Sequence, residues 1–161
     1  MKALAFEQHG ALEDVRLIAF SLNRLDLWVL EGWHALRLKM PHIMGSDGAG
    51  VVSAVGPGVA RFSPGDRVAI NPTICNDPED EFARRGFDNM CADFALFGEH
   101  VDGFFAEYAV VPERNLLPLP DHVPFETAAA ASLVFVTAWH SLIARGRLQP
   151  GESVLVVGAG G

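Results

Sequence analysis

The sequence predicts a mainly β domain followed by the first helix and strand of an α/β domain. Three observations carry this prediction. Residues 43–68, IMGSDGAGVVSAVGPGVARFSPGDRV, set short apolar runs between glycines and prolines, the pattern of an antiparallel β segment with tight turns. After Asp121 the composition shifts to the best helix formers, and residues 125–133 read FETAAAASL. Residues 153–157, SVLVV, are then a continuous apolar run, as in a strand buried on both faces, and they lead into Gly158-Ala159-Gly160-Gly161. The reading divides the chain into a β domain over residues 1–122 and the opening of an α/β domain over residues 123–161.

Taken in order, residues 2–6 alternate polar and apolar and predict a first strand. His9-Gly10 is a turn, and residues 15–22 (VRLIAFSL) predict a second strand. Residues 23–30 (NRLDLWVL) predict a short helix with Leu22, Leu25, Trp28 and Val29 on one face, ended by Gly32-Trp33-His34. Within the glycine-rich stretch, Gly56-Pro57-Gly58 and Pro64-Gly65-Asp66 force two turns before a strand at Arg67-Val68-Ala69-Ile70. Asn71-Pro72 opens a loop, and the charge-dense residues 77–85 (DPEDEFARR) read as a solvated excursion. Residues 103–111 (GFFAEYAVV) predict a return to strand, and the prolines of residues 112–120 (PERNLLPLP) hold that stretch extended. Pro124 and Glu126 suit the first turn of the following helix, the proline by its fixed φ and the acid by the helix dipole. Residues 137–145 predict a second helical segment stopped by Gly146, and Pro150-Gly151 is a turn before the last strand.

The 161 residues suffice for one domain with a sizeable core, or for one domain and the start of another. Twelve basic residues against 20 acidic ones give a net charge of −8 with no basic run, which argues against nucleic-acid binding. No apolar run reaches the roughly 20 residues that cross a bilayer, so no membrane partner is expected. The opening MKALAFEQHG lacks a signal-peptide core. Cys75 and Cys91 are the only cysteines; they imply no disulfide framework and predict a reducing, cytoplasmic location.

An apolar strand running into Gly-x-Gly is the opening of a dinucleotide-binding fingerprint, in which glycines allow the tight turn and the close approach of the pyrophosphate. It makes Gly158, Gly160 and Gly161 candidate cofactor-binding residues, although a strand-to-turn glycine cluster has the same look. A buried strand without partners cannot finish a domain, so a fragment cut inside the motif is expected.

The joint order of HG, LNRLDLW, GSDGAGVVSAVGPGV, PGDRV, FFAEYAVVP, NLLPLP, TAAAASLVFVTAWHSL and PGESVLVVGAGG resembles the medium-chain dehydrogenase/reductase superfamily. It is most similar to the quinone-oxidoreductase-like and alcohol-dehydrogenase-like members. The resemblance implies a GroES-like, barrel-type catalytic domain followed by a Rossmann domain. It also implies NAD(P)(H)-dependent hydride transfer, with NADP favoured over NAD by analogy, and a homodimer or homotetramer as the full-length protein.

Three departures from the family pattern qualify this. Zinc-dependent members carry a Cys where this chain has Asn23, a His where it has Ser46, and a Cys or acid near Leu133. Asn, Ser and Leu are not a zinc set, and Asp47, with His34 and His42 nearby, does not complete one, so catalytic zinc is not expected. The family's four-cysteine lobe falls between Cys75 and Cys91, with Asp77, Asp80 and Ala83 where the other cysteines would be, and an unmetallated surface loop is expected there. Finally, Glu13-Asp14 runs almost directly into Val15, as if one β element were missing near residues 14–15.

Hydride delivered to the β-carbon of an enone or quinone builds negative charge on a distant oxygen, which hydrogen-bond donors can stabilise without a metal. Asn23 is the first candidate donor, although a turn-forming Asn before a helix is an equal reading. The resemblance places Asp26 near the nicotinamide pocket, able to orient Asn23 or Arg24; a first-turn helix acid is the alternative. Ser46 is a candidate donor or proton relay, or simply a small residue at a tight turn. Thr137 matches a family position near the nicotinamide, or is a helix-start hydroxyl. The leading expectation is a zinc-independent reductase of a quinone, enone or other carbonyl compound. An alcohol dehydrogenase with atypical zinc use and a non-catalytic GroES-like binding module are the alternatives.

Overall fold

A computed structural model describes residues 5–6, 21–75, 77 and 79–158. Among the described residues, three small antiparallel sheets form the β domain. Strand β1 (Ala5–Phe6) pairs with β2 (His42–Ile43), with Ala5 opposite Ile43. Strands β3 (Ala49–Val51), β4 (Arg67–Ile70) and β7 (Leu116–Pro118) lie in the order β3-β4-β7. Strands β5 (Thr73–Ile74) and β6 (Ala95–Leu96) make the third pair. Helix α1 (Arg24–Glu31) precedes β2, the short helix α2 (Glu81–Arg84) lies between β5 and β6, and α3 (Phe125–Trp139) follows β7. This is the mainly β domain followed by a helix that the sequence predicts.

The turns fall where glycine and proline require them. Gly65 sits at φ 101° between Ser63 and Asp66, and its N–H donates to the Val52 carbonyl, which brings β3 and β4 together. Helix α1 stops at Gly32, whose φ of 73° lets its N–H close back on the Trp28 carbonyl. The buried face of α1 differs from the expected one. Asp26, Val29 and Leu30 point inward, whereas Leu22 and Trp28 are exposed. The core asks for the two aliphatic residues, and Asp26 follows because it lies one turn before Leu30.

Among the described residues, two apolar clusters form the core. Val29, Leu30, Leu36, Met44 and Phe105 form one; Ile70, Ile74, Phe97 and Phe104 form the other. Burying each of the larger side chains stabilises the fold by roughly 1.5–3 kcal/mol. Phe104 and Phe105 are sequence neighbours that serve opposite clusters, so the stretch around them joins the two halves. It is not the strand predicted for residues 103–111. Gly103, Phe104 and Phe105 donate in succession to the carbonyls of Ile43, Gly45 and Met44, whereas a ladder uses alternate residues. Ala106 makes an isolated bridge, but among the described residues no strand pairs with residues 107–111, and Val110 is 96 % exposed.

This junction depends on three glycines. A Cβ at Gly103 would lie 2.2 Å from the Gly45 carbonyl oxygen and 2.6 Å from the Gly98 Cα. Backbone cannot yield as a side-chain tip can. Gly103→Ala is therefore expected to lower stability by about 1–3 kcal/mol through overpacking alone. A urea midpoint equal to that of the parent would show that the three backbones do not meet this closely.

Helix α3 starts as predicted, but it does not break before residue 137. It continues through a π-helical turn at His140–Arg145, giving 21 residues that include an 18-residue window of mean hydropathy 1.5, of which 11 % is buried. By length and composition alone it is long enough to cross a membrane, contrary to the expectation that no such segment exists. One side of it packs against β3 and β4. Residues 153–157 are not a strand: they have no partner among the described residues, and Leu155 and Val157 are each 87 % exposed. A strand exists only as part of a sheet. The predicted strand over residues 15–22 and the element missing near residues 14–15 lie outside the described residues, apart from residues 21–22, which are irregular.

Candidate active site

Four polar residues, two from the start of α1 and two from the loop after β2, converge where α1, the end of β2 and α3 meet. Asn23 is the N-cap of α1, with extended backbone at φ −116° and ψ 156°. Its N–H donates to Asp26 Oδ2 at 2.7 Å, and the Asp26 N–H donates to the Asn23 carbonyl at 3.0 Å. This exchange supplies the capping that a helix start needs. The Asn23 side-chain amide is engaged elsewhere: Nδ2 donates to Asp47 Oδ2 at 2.8 Å.

Asp47 follows the glycine-rich turn at Gly45, where φ is 98°. It is fully buried, and its Oδ1 accepts the main-chain N–H of Leu133, in the middle of α3, at 2.8 Å. Residues 24 and 86 positions apart in sequence are thus joined through one carboxylate. The sequence reading set Asp47 aside as insufficient alone. The signal that could have found it is an acid directly after Gly45-Ser46 in a stretch bound to be buried.

Ser46 is fully buried and its hydroxyl has no protein hydrogen-bond partner. Asp26 is 5 % exposed, and its Oδ1 is also without a partner. Burial raises the Asp26 carboxyl to about 6, and the Asp47 charge adds to the rise against the backbone N–H groups of Asn23 and Gly45. The structure therefore brings Asn23, Asp26 and Ser46 together, as expected. Thr137 lies apart, exposed on α3 one turn beyond Leu133, with its hydroxyl donating to the Leu133 carbonyl at 2.8 Å. Gly158 has a φ of 77°, suited to a tight turn, whereas Gly160 and Gly161 lie outside the described residues.

The donor set at this cluster is one amide, one hydroxyl and two carboxylates. His34 is exposed, and His42 is buried against the Gly98 carbonyl and beside the Asp102 carboxylate. Among the described residues the cluster of His, Cys, Asp or Glu side chains close enough to hold a metal ion lies elsewhere, at Cys75, Cys91 and Asp93, and both Asp47 oxygens already accept hydrogen bonds. That set does not fit a catalytic zinc ion.

The cysteine-bearing region differs from expectation. Cys75 and Cys91, 16 residues apart, are joined as a disulfide, with Cα atoms 6.0 Å apart. Two free thiols were expected, but the return of the chain through α2 and the turn at Asp88–Met90 places them together. Their acidic neighbour is Asp93, and the three side chains present donor atoms within 4.8 Å of one another. Asp77 and Asp80 are not part of this group. Asp80 caps α2, accepting from Phe82 and Ala83, and further takes the Ala92 N–H; these bonds hold its carboxyl below the usual range despite some desolvation. With the thiols reduced, Cys75, Cys91 and Asp93 are three ligands of the types zinc accepts.

Residues 13–121 match the alcohol dehydrogenase GroES-like domain. The chain belongs to that family. Through it the chain belongs to the medium-chain dehydrogenase/reductase superfamily. It is 38 % identical over 152 residues to a zinc-type alcohol dehydrogenase-like protein of Schizosaccharomyces pombe, covering 91 % of this chain and 41 % of the relative. It is 36 % identical over 136 residues to an acryloyl-coenzyme A reductase of Metallosphaera sedula, covering 84 % of this chain and 40 % of the relative. The crystal structure of an NAD-dependent alcohol dehydrogenase superposes with a TM-score of 0.86 at 38 % identity, covering 94 % of this chain and 49 % of that one. The GroES-like chain thus spans about two-fifths of the length of the curated relatives it matches.

Proposed function

We propose that this chain forms the substrate-side part of an NAD(P)(H)-dependent oxidoreductase that delivers hydride to an enone, quinone or related carbonyl compound without catalytic zinc. One observation carries the reading: the amide of Asn23 is held rigidly by a buried carboxylate at the position where zinc-dependent members carry a metal ligand. A pinned amide N–H is the donor that a developing enolate oxygen needs, and one already oriented needs no reorganisation when the charge appears. The name of the M. sedula relative, a reductase of an unsaturated thioester, is consistent with such chemistry. Asp26 holds Asn23 through its backbone. Ser46 is closed to substrate in this arrangement, and its unpartnered hydroxyl suits a proton relay.

When bound, the nicotinamide cofactor supplies the hydride. Thr137, Gly158, Gly160 and Gly161 are the residues we assign to it, with NADP favoured over NAD. The complete enzyme is proposed to be a cytoplasmic homodimer or homotetramer. A second reading, an alcohol dehydrogenase with atypical zinc use, draws on the zinc-type name of the S. pombe relative and on the cluster of Cys75, Cys91 and Asp93.

The deciding experiment uses the complete protein with each reduced cofactor against a panel of enones and quinones, and with each oxidised cofactor against alcohols. Metal content is measured in parallel. We expect cofactor oxidation with an unsaturated carbonyl compound that survives chelation. Alcohol oxidation that is lost on chelation and restored by zinc would establish the second reading instead.

A further inference from the structure

We propose that Asp47 is the positioning residue for Asn23, and that it sets which atom of the Asn23 amide faces the substrate. The inference rests on the reading of Asn23 as the donor to the reacting carbonyl. It goes beyond that reading by explaining how the donor is oriented, and why α3 takes part.

An asparagine amide presents an oxygen and a nitrogen in nearly the same shape, and only its neighbours decide which way it lies. An ionised carboxylate accepts and never donates. The Asn23 atom 2.8 Å from Asp47 Oδ2 is therefore the NH₂ group, which leaves its second N–H for another acceptor. Asp47 is itself prevented from turning. Its other oxygen is held at 2.8 Å by the N–H of Leu133, and the residue is fully buried. The carboxylate thus reads the position of α3 on one oxygen and fixes the Asn23 amide with the other. A fully buried carboxylate with both oxygens committed to residues from different elements is more than a cap or a turn requires.

The Asp47→Asn substitution tests this with little change of shape. Oδ1 of the new amide can still accept the Leu133 N–H, which turns its NH₂ group towards Asn23. Two NH₂ groups cannot bond each other, so Asn23 flips, and its nitrogen moves to where its oxygen stood. The donor is then misplaced while packing is kept. In the complete enzyme, Asp47→Asn is expected to lower kcat for an enone roughly ten- to a hundred-fold, with the KM for reduced cofactor changed by less than about two-fold. In an Asn23→Ala background the same substitution is expected to change kcat by less than about two-fold, because no amide remains to misplace.

Equal losses in both backgrounds would assign Asp47 a purely structural role in seating α3 and overturn the proposal. So would an unchanged kcat in Asp47→Asn. If Asn23→Ala alone leaves kcat unchanged, the donor reading itself fails, and that outcome is separate from the other two. Should Asp47→Asn not fold, the unaltered protein still decides. The Asn23 side-chain amide, assigned by its loss in Asn23→Ala, is expected to show two well-separated proton resonances, one shifted downfield by the carboxylate. Two resonances at free-amide positions would overturn the proposal.

Discussion

Asn23→Ala is expected to lower kcat of the complete enzyme on an enone or quinone by roughly 10²–10³-fold, the usual consequence of removing one oxyanion donor. The KM for reduced cofactor should stay nearly constant, because Asn23 caps α1 and its side chain is held by Asp47 rather than by a residue assigned to the cofactor. The loss should therefore be seen in kcat and kcat/KM alike, the pattern of an interaction made in the transition state. Stability should fall as well. Truncation strands Asp47 Oδ2, which is buried and has Asn23 Nδ2 as its partner, and an unpaired buried acceptor costs about 1–3 kcal/mol. Kinetics are then best measured well below the new thermal midpoint. A larger isotope effect with deuterated cofactor would show that hydride transfer has become the slow step. If kcat and the isotope effect both remain at the parent values, the amide does not face the reacting oxygen, and the proposed mechanism fails at its first residue.

The legible parts of this fold are those set by local chemistry. Gly32, Gly58 and Gly65 end or turn the chain at positive φ, and the helix formers after Asp121 make a helix. What was not legible depends on partners. Residues 103–111 have the composition of a strand, yet the N–H groups of Gly103, Phe104 and Phe105 go to three neighbouring carbonyls of residues 43–45, a contact permitted by Gly45, Gly98 and Gly103. Residues 153–157 likewise have the composition of a strand, and no described strand lies beside them. The site shows the same division. Asn23, Asp26 and Ser46 stood out by type and by family position. Asp47 did not, because its importance lies in a bond to a backbone N–H 86 residues away, and a main-chain donor leaves no mark in a side-chain pattern. Asp93 was missed for a similar reason: Asp77 and Asp80 lie nearer the middle of the cysteine interval, but Asp80 is used in capping α2.

The carboxyl of Asp26 predicts an unusual pH dependence. Its ordinary value of 3.8 is raised to about 6 in the folded chain, chiefly by burial. Between those two values the native state holds the proton and the unfolded state does not, so unfolding free energy falls as pH rises. The contribution is fully present below pH 3.8 and is lost as pH rises through 6. At 1.36 kcal/mol per tenfold change in proton affinity, the loss amounts to about 3 kcal/mol by neutral pH. Asp80 acts in the opposite sense, its lowered carboxyl losing stability as pH falls, so the raw profile mixes the two. The difference between the parent and Asp26→Asn isolates the first. The amide keeps an acceptor for the Asn23 N–H, and no charge is left to desolvate. Asp26→Asn is thus expected to be more stable than the parent by about 1–2 kcal/mol at pH 7.5 and no more stable at pH 4, measured by urea unfolding. The gain falls short of 3 kcal/mol because an NH₂ group takes the place of the unpartnered Oδ1. The same ionisation bears on activity. Above pH 6 a second negative charge appears beside Asp47, where it opposes charge building on a substrate oxygen at Asn23. A decline in kcat on passing through pH 6 that Asp26→Asn abolishes would tie the buried acid to the chemistry. A stability difference that is the same at pH 4 and pH 7.5 would show that Asp26 keeps its ordinary proton affinity in the fold.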